Sequence, residues 1–340
     1  MKAIGLYRYL PIDNPDSLID LELAKPVPSG RDLLVSVRAI SVNPVDVKER
    51  APKEQVENAP RILGWDVAGV VEQVGADCTL FRPGDEVYYA GSITRPGGNS
   101  EFHLVDERIV GRKPRNLDFA QAAALPLTTL AAWEGLFDRL DMSQQPDKNQ
   151  GKSILIIGAA GGVGSIATQL ASLAGLTVIG TASRAETVQW AKEHGASHTI
   201  DHRQAFAPQL KQLGFTTVDA ILCLNSTERH WNAMVEGVAP EGKICSIVET
   251  HEPLNITALQ RKSAAFVWEF MFTRAMYQTA DMIEQHNLLN KAAELIEAGN
   301  VRTTLTERLS PINSVNLRQA HARVEAGRMI GKIVLENFRE

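Results

Sequence analysis

Cysteine is scarce: Cys78, Cys223 and Cys245 are the only three in 340 residues. They lie far apart and in no CxxC pair, so neither a disulfide framework nor a zinc ribbon is indicated, and inert thiols are expected. No apolar stretch approaches the roughly 20 residues that a membrane-spanning helix needs, although hydrophobic residues make up 44% of the chain and can fill a core. A long basic run is missing as well. The 35 Lys+Arg stand against 40 Asp+Glu, a net charge of −5, which argues against nucleic acid as the main partner. The opening Met1-Lys2-Ala3-Ile4-Gly5-Leu6-Tyr7 alternates toward a strand and then meets Arg8, without the continuous apolar region and cleavage site of a secretory signal. The expectation is a cytoplasmic protein with no membrane partner.

What is present points to two domains, the default for a chain too long for one core. Up to about Leu125 the sequence is rich in Pro and Gly. Short β-branched runs such as Leu33–Val37 and Val67–Val71 are bounded by turn residues, the texture of a compact β-rich domain. From Ser153 apolar runs at Ile154–Ile157, Thr177–Ile179, Thr199–Ile200, Ala220–Leu224 and Ile244–Val248 alternate with amphipathic segments such as Ala185–Glu193. Strands buried on both faces read as continuous apolar runs, so an α/β, doubly wound parallel sheet is predicted here. After about Ala275 the chain is too short for another domain, and its end, Gly331-Lys332-Ile333-Val334-Leu335, reads as a strand that rejoins the first domain. The predicted boundaries are 1–124, 125–274 and 275–340.

Ile154–Ile157 runs directly into Gly158-Ala159-Ala160-Gly161-Gly162-Val163-Gly164 and then into a segment of helical periodicity from Ser165. Glycines let the backbone turn tightly and approach a pyrophosphate, and the free amides of the helix start stabilise its charge. A glycine pattern alone is weak; after a strand and before a helix, it predicts a dinucleotide site. The end of the next strand selects the coenzyme. An NAD site usually has an acid there for the ribose 2′-hydroxyl, but this chain has Thr181-Ala182-Ser183-Arg184. The hydroxyl of Ser183 and the guanidinium of Arg184 suit a 2′-phosphate, so NADPH is the expected cofactor. Glu186, two positions on, leaves an NAD-type contact open.

Read together, Ser41-Val42-Asn43-Pro44-Val45-Asp46, Gly64-Trp65-Asp66-Val67-Ala68-Gly69 and the Ala160–Gly164 turn resemble the medium-chain dehydrogenase/reductase superfamily over nearly the whole chain. The closer likeness is to its zinc-free quinone oxidoreductase branch. The resemblance implies a Rossmann sheet inserted in a GroES-like β-rich catalytic domain. Zinc enzymes of the superfamily carry Cys where Asn43 stands, His where Trp65 stands, and Cys or an acid near Leu127. Trp and Leu cannot coordinate zinc and an Asn amide is a poor substitute for thiolate. The four-Cys lobe would fall between Tyr88 and Phe102, a stretch without Cys. No zinc is expected. His194, His198 and His202 are spaced by four, but Gly195 interrupts any helix there, so no metal role is assigned to them.

Without a Lewis acid, alcohol oxidation loses its means of making an alkoxide. A quinone or conjugated carbonyl still accepts hydride from NADPH, needing only hydrogen-bond donors and a proton. The resemblance places Asn43 and Asp46 near nicotinamide and substrate; the Asn43 amide either donates to a carbonyl oxygen or ties the turn before Pro44. Trp65, Tyr88, Tyr89 and Trp133 are candidates for an aromatic wall, with core packing as the alternative, and Tyr88 also for a hydrogen-bond donor. Asn225-Ser226-Thr227 resembles the loop over the coenzyme ribose, and Gly331-Lys332 the family's late coenzyme-contacting segment. Phe270–Thr273 is expected on an edge strand of the kind through which relatives pair into homodimers. Leu130-Ala131-Ala132-Trp133 lacks a Thr that relatives often use at the nicotinamide. Two other classes stay open: an NADPH sensor with little turnover, and a zinc-dependent alcohol dehydrogenase.

Overall fold

A computed structural model describes residues 1–338. The chain forms two compact units, one from Met1–Leu127 with Phe272 onward and the other from Thr128–Met271. The C-terminal segment thus belongs with the N-terminal unit, joined by its last strand. Lys332–Glu336 pairs antiparallel with Asp32–Ser41, with Val334 opposite Ser41.

The first unit is built on a seven-stranded sheet. Its centre is Asp32–Ser41, which pairs with Val67–Val74, Phe102–Asp106 and Lys332–Glu336, with Glu86–Tyr89, Gly111–Arg112 and Leu305–Leu309 beyond. The segments Leu33–Val35 and Val67–Ala68 are fully buried, which is why β-branched and aliphatic side chains fill them. A smaller antiparallel sheet holds Ile19–Glu22, Lys2–Tyr9 and Lys53–Ile62. Asn43 stands at the start of the short helix Pro44–Arg50, where proline's fixed φ suits the first helical position.

The second unit carries a six-stranded, all-parallel sheet. In order across the sheet the strands are His198–Ile200, Thr177–Thr181, Ser153–Ile157, Val218–Cys223, Val238–Ser246 and Ala265–Trp268. Counted along this unit that order is 3-2-1-4-5-6, the doubly wound arrangement whose ligands bind at the carboxyl ends of the strands beside the reversal. Ser153–Ile157, buried throughout, sits at that reversal and leads into the glycine turn.

Two expectations need correction. The edge strand ends at Trp268 rather than running through Phe270–Thr273; after Glu269 N donates to Ser246 O the chain turns, Phe272 is buried, and Thr273–Tyr277 is helical. The last Rossmann run is also longer than Ile244–Val248 suggests, since the strand begins at Val238. His194, His198 and His202 fall on different elements: His194 ends the helix Ala185–Glu193, Gly195 has φ +103°, and His198 starts a strand. No helix among the described residues is long and apolar enough to cross a membrane.

Candidate coenzyme and catalytic sites

In the parallel-sheet unit the strand Ser153–Ile157 ends at Gly158, whose φ of +91° favours glycine. Its amide donates to Thr181 Oγ1 at 2.9 Å, tying the turn to the end of the neighbouring strand. Gly161 N closes the turn on Gly158 O at 3.1 Å. The helix Gly162–Leu173 follows with no side-chain cap, so by helix geometry the amides of Gly162, Val163 and Gly164 lack intrahelical acceptors. Such amides, at the positive end of the helix dipole, form a cradle for a pyrophosphate. Gly164 is required by packing: a Cβ there would lie 2.1 Å from Gly158 O. Ala160 is buried, while Gly161, Gly162 and Val163 remain half-buried. A Cβ on Gly158 would meet Asn225 Cβ at 3.9 Å, so the loop of Asn225 and Ser226 borders the same turn, with Ser226 at φ +47°. These residues fit a dinucleotide.

Ser183 and Arg184 follow the strand Thr177–Thr181 and are both half-buried. Arg184 Nε pairs with Glu186 Oε1 at 3.2 Å, so Glu186 is matched by a guanidinium. Sequence reasoning missed Arg203, whose Nη2 donates to the Ser183 carbonyl at 2.9 Å. The signal was faint: Arg203 follows the third strand, and only the parallel register of Thr181 with Ile200 brings it across.

In the β-rich unit the structure gathers four side chains into a buried knot. Asn43 Nδ2 donates to Asp66 Oδ2 at 2.8 Å, and Lys332 Nζ donates to the same oxygen at 3.0 Å, to Val42 O at 2.9 Å and to Asn43 Oδ1. Asp66 Oδ1 accepts from Leu127 N at 2.8 Å. Burial pushes the Asp66 carboxyl upward, and the Lys332 ammonium with the Leu127 amide draws it back. Asp46 Oδ2 accepts from Asn43 N at 2.8 Å. Its carboxyl is raised to about 7, first by burial and further by the Asp66 charge, against the pull of the Asn43 amide and Lys332. Asp66 was legible as a charge inside an apolar run, which when buried needs a cationic partner; that the partner is Lys332 depends on the long-range pairing of the last strand.

The knot changes several assignments. Both ends of the Asn43 amide are engaged inside the unit and the residue is buried, so it ties the turn instead of presenting a donor to a substrate. Asp46 caps the same turn. Lys332, which the resemblance implies as a coenzyme contact, is buried and bound to Asp66 and Asn43, an internal cross-link of the β-rich unit. Trp65 is buried too, its Nε1 donating to Ser92 O at 3.2 Å and its ring meeting Phe272 edge-on at 5.9 Å. Tyr88 donates to Leu289 O at 2.6 Å, and burial drives its hydroxyl far above the ordinary tyrosine range. In this structure its proton is engaged by that carbonyl. Tyr89 is buried and bonded to His103 Nδ1 at 3.1 Å, and Trp133 is buried with its ring against Phe137 at 5.1 Å. Each aromatic is therefore a packing residue.

The positions at which the resemblance would put zinc ligands hold Asn43, Trp65 and Leu127. The first is saturated by its neighbours, the second donates a hydrogen bond, and the third is apolar. A buried ammonium beside them adds repulsion for a cation. This donor set does not fit zinc, and no group of three or more His, Cys, Asp or Glu among the described residues could hold a metal ion.

Comparison with known proteins gives a consistent picture. Residues 29–115 match the alcohol dehydrogenase GroES-like domain family, and residues 194–335 match the zinc-binding dehydrogenase family. The chain is 44% identical over 335 residues to a zinc-type alcohol dehydrogenase-like protein of Staphylococcus aureus strain MSSA476, covering 98% of this chain and 99% of the relative. It is 32% identical over 323 residues to a quinone oxidoreductase of Pseudomonas aeruginosa, covering 93% and 94%. A solved structure from Rhizobium etli CFN 42, described as a candidate zinc-dependent alcohol dehydrogenase, superposes with a TM-score of 0.95 at 50% identity, covering 100% of this chain and 99% of the other.

Proposed function

Because this chain belongs to the medium-chain dehydrogenase/reductase superfamily of oxidoreductases, we propose that it is an NADPH-dependent reductase that passes hydride to quinones or other electron-poor conjugated carbonyls without a catalytic zinc. The observation that carries this reading is the buried knot. Where a zinc enzyme needs thiolate and imidazole, Asn43 is spanned between Lys332 and Asp66, and Trp65 is packed on Phe272. In the zinc enzymes a Lewis acid helps make the alkoxide from the alcohol, and this donor set does not fit one. A quinone is already electrophilic, so positioning and hydrogen-bond donors suffice. The name of the Pseudomonas aeruginosa relative supports the same acceptor class.

NADPH, when bound, supplies the hydride. The amides of Gly162, Val163 and Gly164 bind the pyrophosphate, and Thr181 Oγ1 keeps Gly158 in the turn that exposes them. Ser183 and Arg184 take the 2′-phosphate, the guanidinium supplying charge-assisted bonds. Reduction of a quinone to its hydroquinone would take one hydride from the coenzyme, which leaves oxidised, and one proton from solvent water.

One observation favours a second reading, a coenzyme-binding protein with little turnover: Asn43, Asp46, Trp65 and Tyr88 all face inward with internal roles. Consumption of NADPH and NADH with a set of quinones and enones separates the two. Faster oxidation of NADPH than NADH with at least one acceptor is expected; tight NADPH binding with no turnover across the set would favour the second. We also propose a homodimer, formed by pairing of the edge strand Ala265–Trp268 with its copy. Trp268 is 46% and the adjoining Phe270 45% exposed, and an open edge beside exposed aromatics is a template for a second chain.

A further inference from the structure

Arg203 joins the Ser183 carbonyl to the Asp201 carboxylate, next to Arg184. Ala182 N donates to Ile200 O at 2.9 Å, so the turn carrying Ser183 and Arg184 lies beside the loop that starts at Asp201. Gln209 fixes that loop, its Oε1 accepting from Asp201 N at 2.8 Å and its Nε2 donating to Asp201 O at 2.9 Å. From the loop, Arg203 grips both carboxylate oxygens of Asp201, with Nε 3.0 Å from Oδ1 and Nη2 2.7 Å from Oδ2. The same Nη2 donates to the Ser183 carbonyl at 2.9 Å. Arg203 holds the Asp201 carboxyl down to about 2.

The Ser183 carbonyl and the Asp201 carboxylate would each repel a phosphate, and a bare acid beside the turn would favour the uncharged ribose 2′-hydroxyl of NADH. One guanidinium counters both. Its Nη1 has no hydrogen-bond partner among the described residues and remains a donor for an anion. Building on the NADPH reading, we infer that Arg203 is a selectivity-determining residue for the coenzyme: it masks Asp201, fixes the Ser183 carbonyl, and turns an acid-bearing loop into a 2′-phosphate site shared with Arg184.

The test is a binding titration of the full-length protein with NADPH and with NADH, for wild type, Arg203→Ala, Arg203→Lys and the double variant Asp201→Asn/Arg203→Ala. The Arg203 side chain is 59% exposed, so the variants are expected to fold, and a thermal melt checks this. Arg203→Ala is expected to lower the NADPH-over-NADH preference about tenfold or more, the effect of losing a charge-assisted bond. Adding Asp201→Asn restores part of the NADPH affinity by removing the unmasked charge, and Arg203→Lys falls between wild type and Ala. A wild type that prefers NADPH together with an Arg203→Ala protein that keeps the same preference, or loses both coenzymes equally, overturns the role of Arg203 alone. A wild type that binds both coenzymes equally overturns the NADPH reading and this inference with it.

Discussion

Replacing Lys332 with Met keeps most of the apolar stem but removes the ammonium that joins the last strand to Asp66. The two groups are 3.0 Å apart, and their side chains are 4% and 0% exposed. With an effective dielectric constant near 20, their Coulomb attraction is roughly 5 kcal/mol. The variant can avoid part of that loss because Asp66 can take up a proton. Neutralising a carboxyl of ordinary value 3.8 at pH 7 costs about 4 kcal/mol at about 1.4 kcal/mol per pH unit, which sets a ceiling on the charge penalty. Asn43 Oδ1 and Val42 O also lose their donor. The expected loss in unfolding free energy is about 3–5 kcal/mol, the range for a broken buried pair. The pH dependence has a definite sign. In the variant the folded-state Asp66 carboxyl lies above its unfolded value, so stability is retained at low pH and lost as pH rises from about 4. At pH 5 the charge penalty therefore falls below about 2 kcal/mol. Urea unfolding of wild type and variant at both pH values measures this, and adding Asp66→Asn is expected to recover part of the loss. A deficit under about 1 kcal/mol at pH 7, or one equal at both pH values, would refute the reasoning.

Tyr88→Phe is expected to leave kcat within about twofold while costing roughly 1 kcal/mol of stability through the orphaned Leu289 carbonyl; a hundredfold loss of kcat would restore Tyr88 as a proton donor. Arg184→Ala raises the KM for NADPH about tenfold and leaves that for NADH nearly unchanged, as steady-state kinetics with both coenzymes would register. His103 and His321 are pushed down from 6.5 to about 4 and about 3 by burial, so their contribution is complete above pH 6.5 and is lost as pH falls from 6.5 toward those values. Near pH 5 each group costs about 2 kcal/mol, detectable as a falling urea midpoint between pH 7 and 5. Trp268→Glu is expected to convert a dimer to a monomer in size-exclusion chromatography with light scattering; a wild type that is already monomeric contradicts the proposed pairing.

The parallel sheet was legible because fully buried strands such as Ser153–Ile157 leave continuous apolar runs, and the glycine turn because only glycine tolerates the approach at Gly164. The interior of the candidate site was less so. Nothing local distinguishes an Asn43 that faces substrate from one held by Lys332, since that contact spans 289 residues and exists only once the final strand is seated beside Ser41. Trp65 and Tyr88 carry polar tips suited either to a cleft or to a buried carbonyl, and packing alone decides between them. Arg203 was hidden for a similar reason: the register of two parallel strands, absent from any local pattern, brings it to Ser183. Phe270 and Phe272 have strand-like propensity, but the buried turn at Phe272 overrides it and the edge strand ends at Trp268.

The central claim, hydride transfer to a conjugated acceptor without zinc, is tested most directly by turnover measured alongside metal content. Protein freed of metal by chelation and checked by elemental analysis is mixed with NADPH and the best quinone or enone, with and without added Zn²⁺. The account predicts the same rate of NADPH oxidation in both and no zinc retained after dialysis. Stoichiometric zinc binding with metal-dependent oxidation of an alcohol would contradict it.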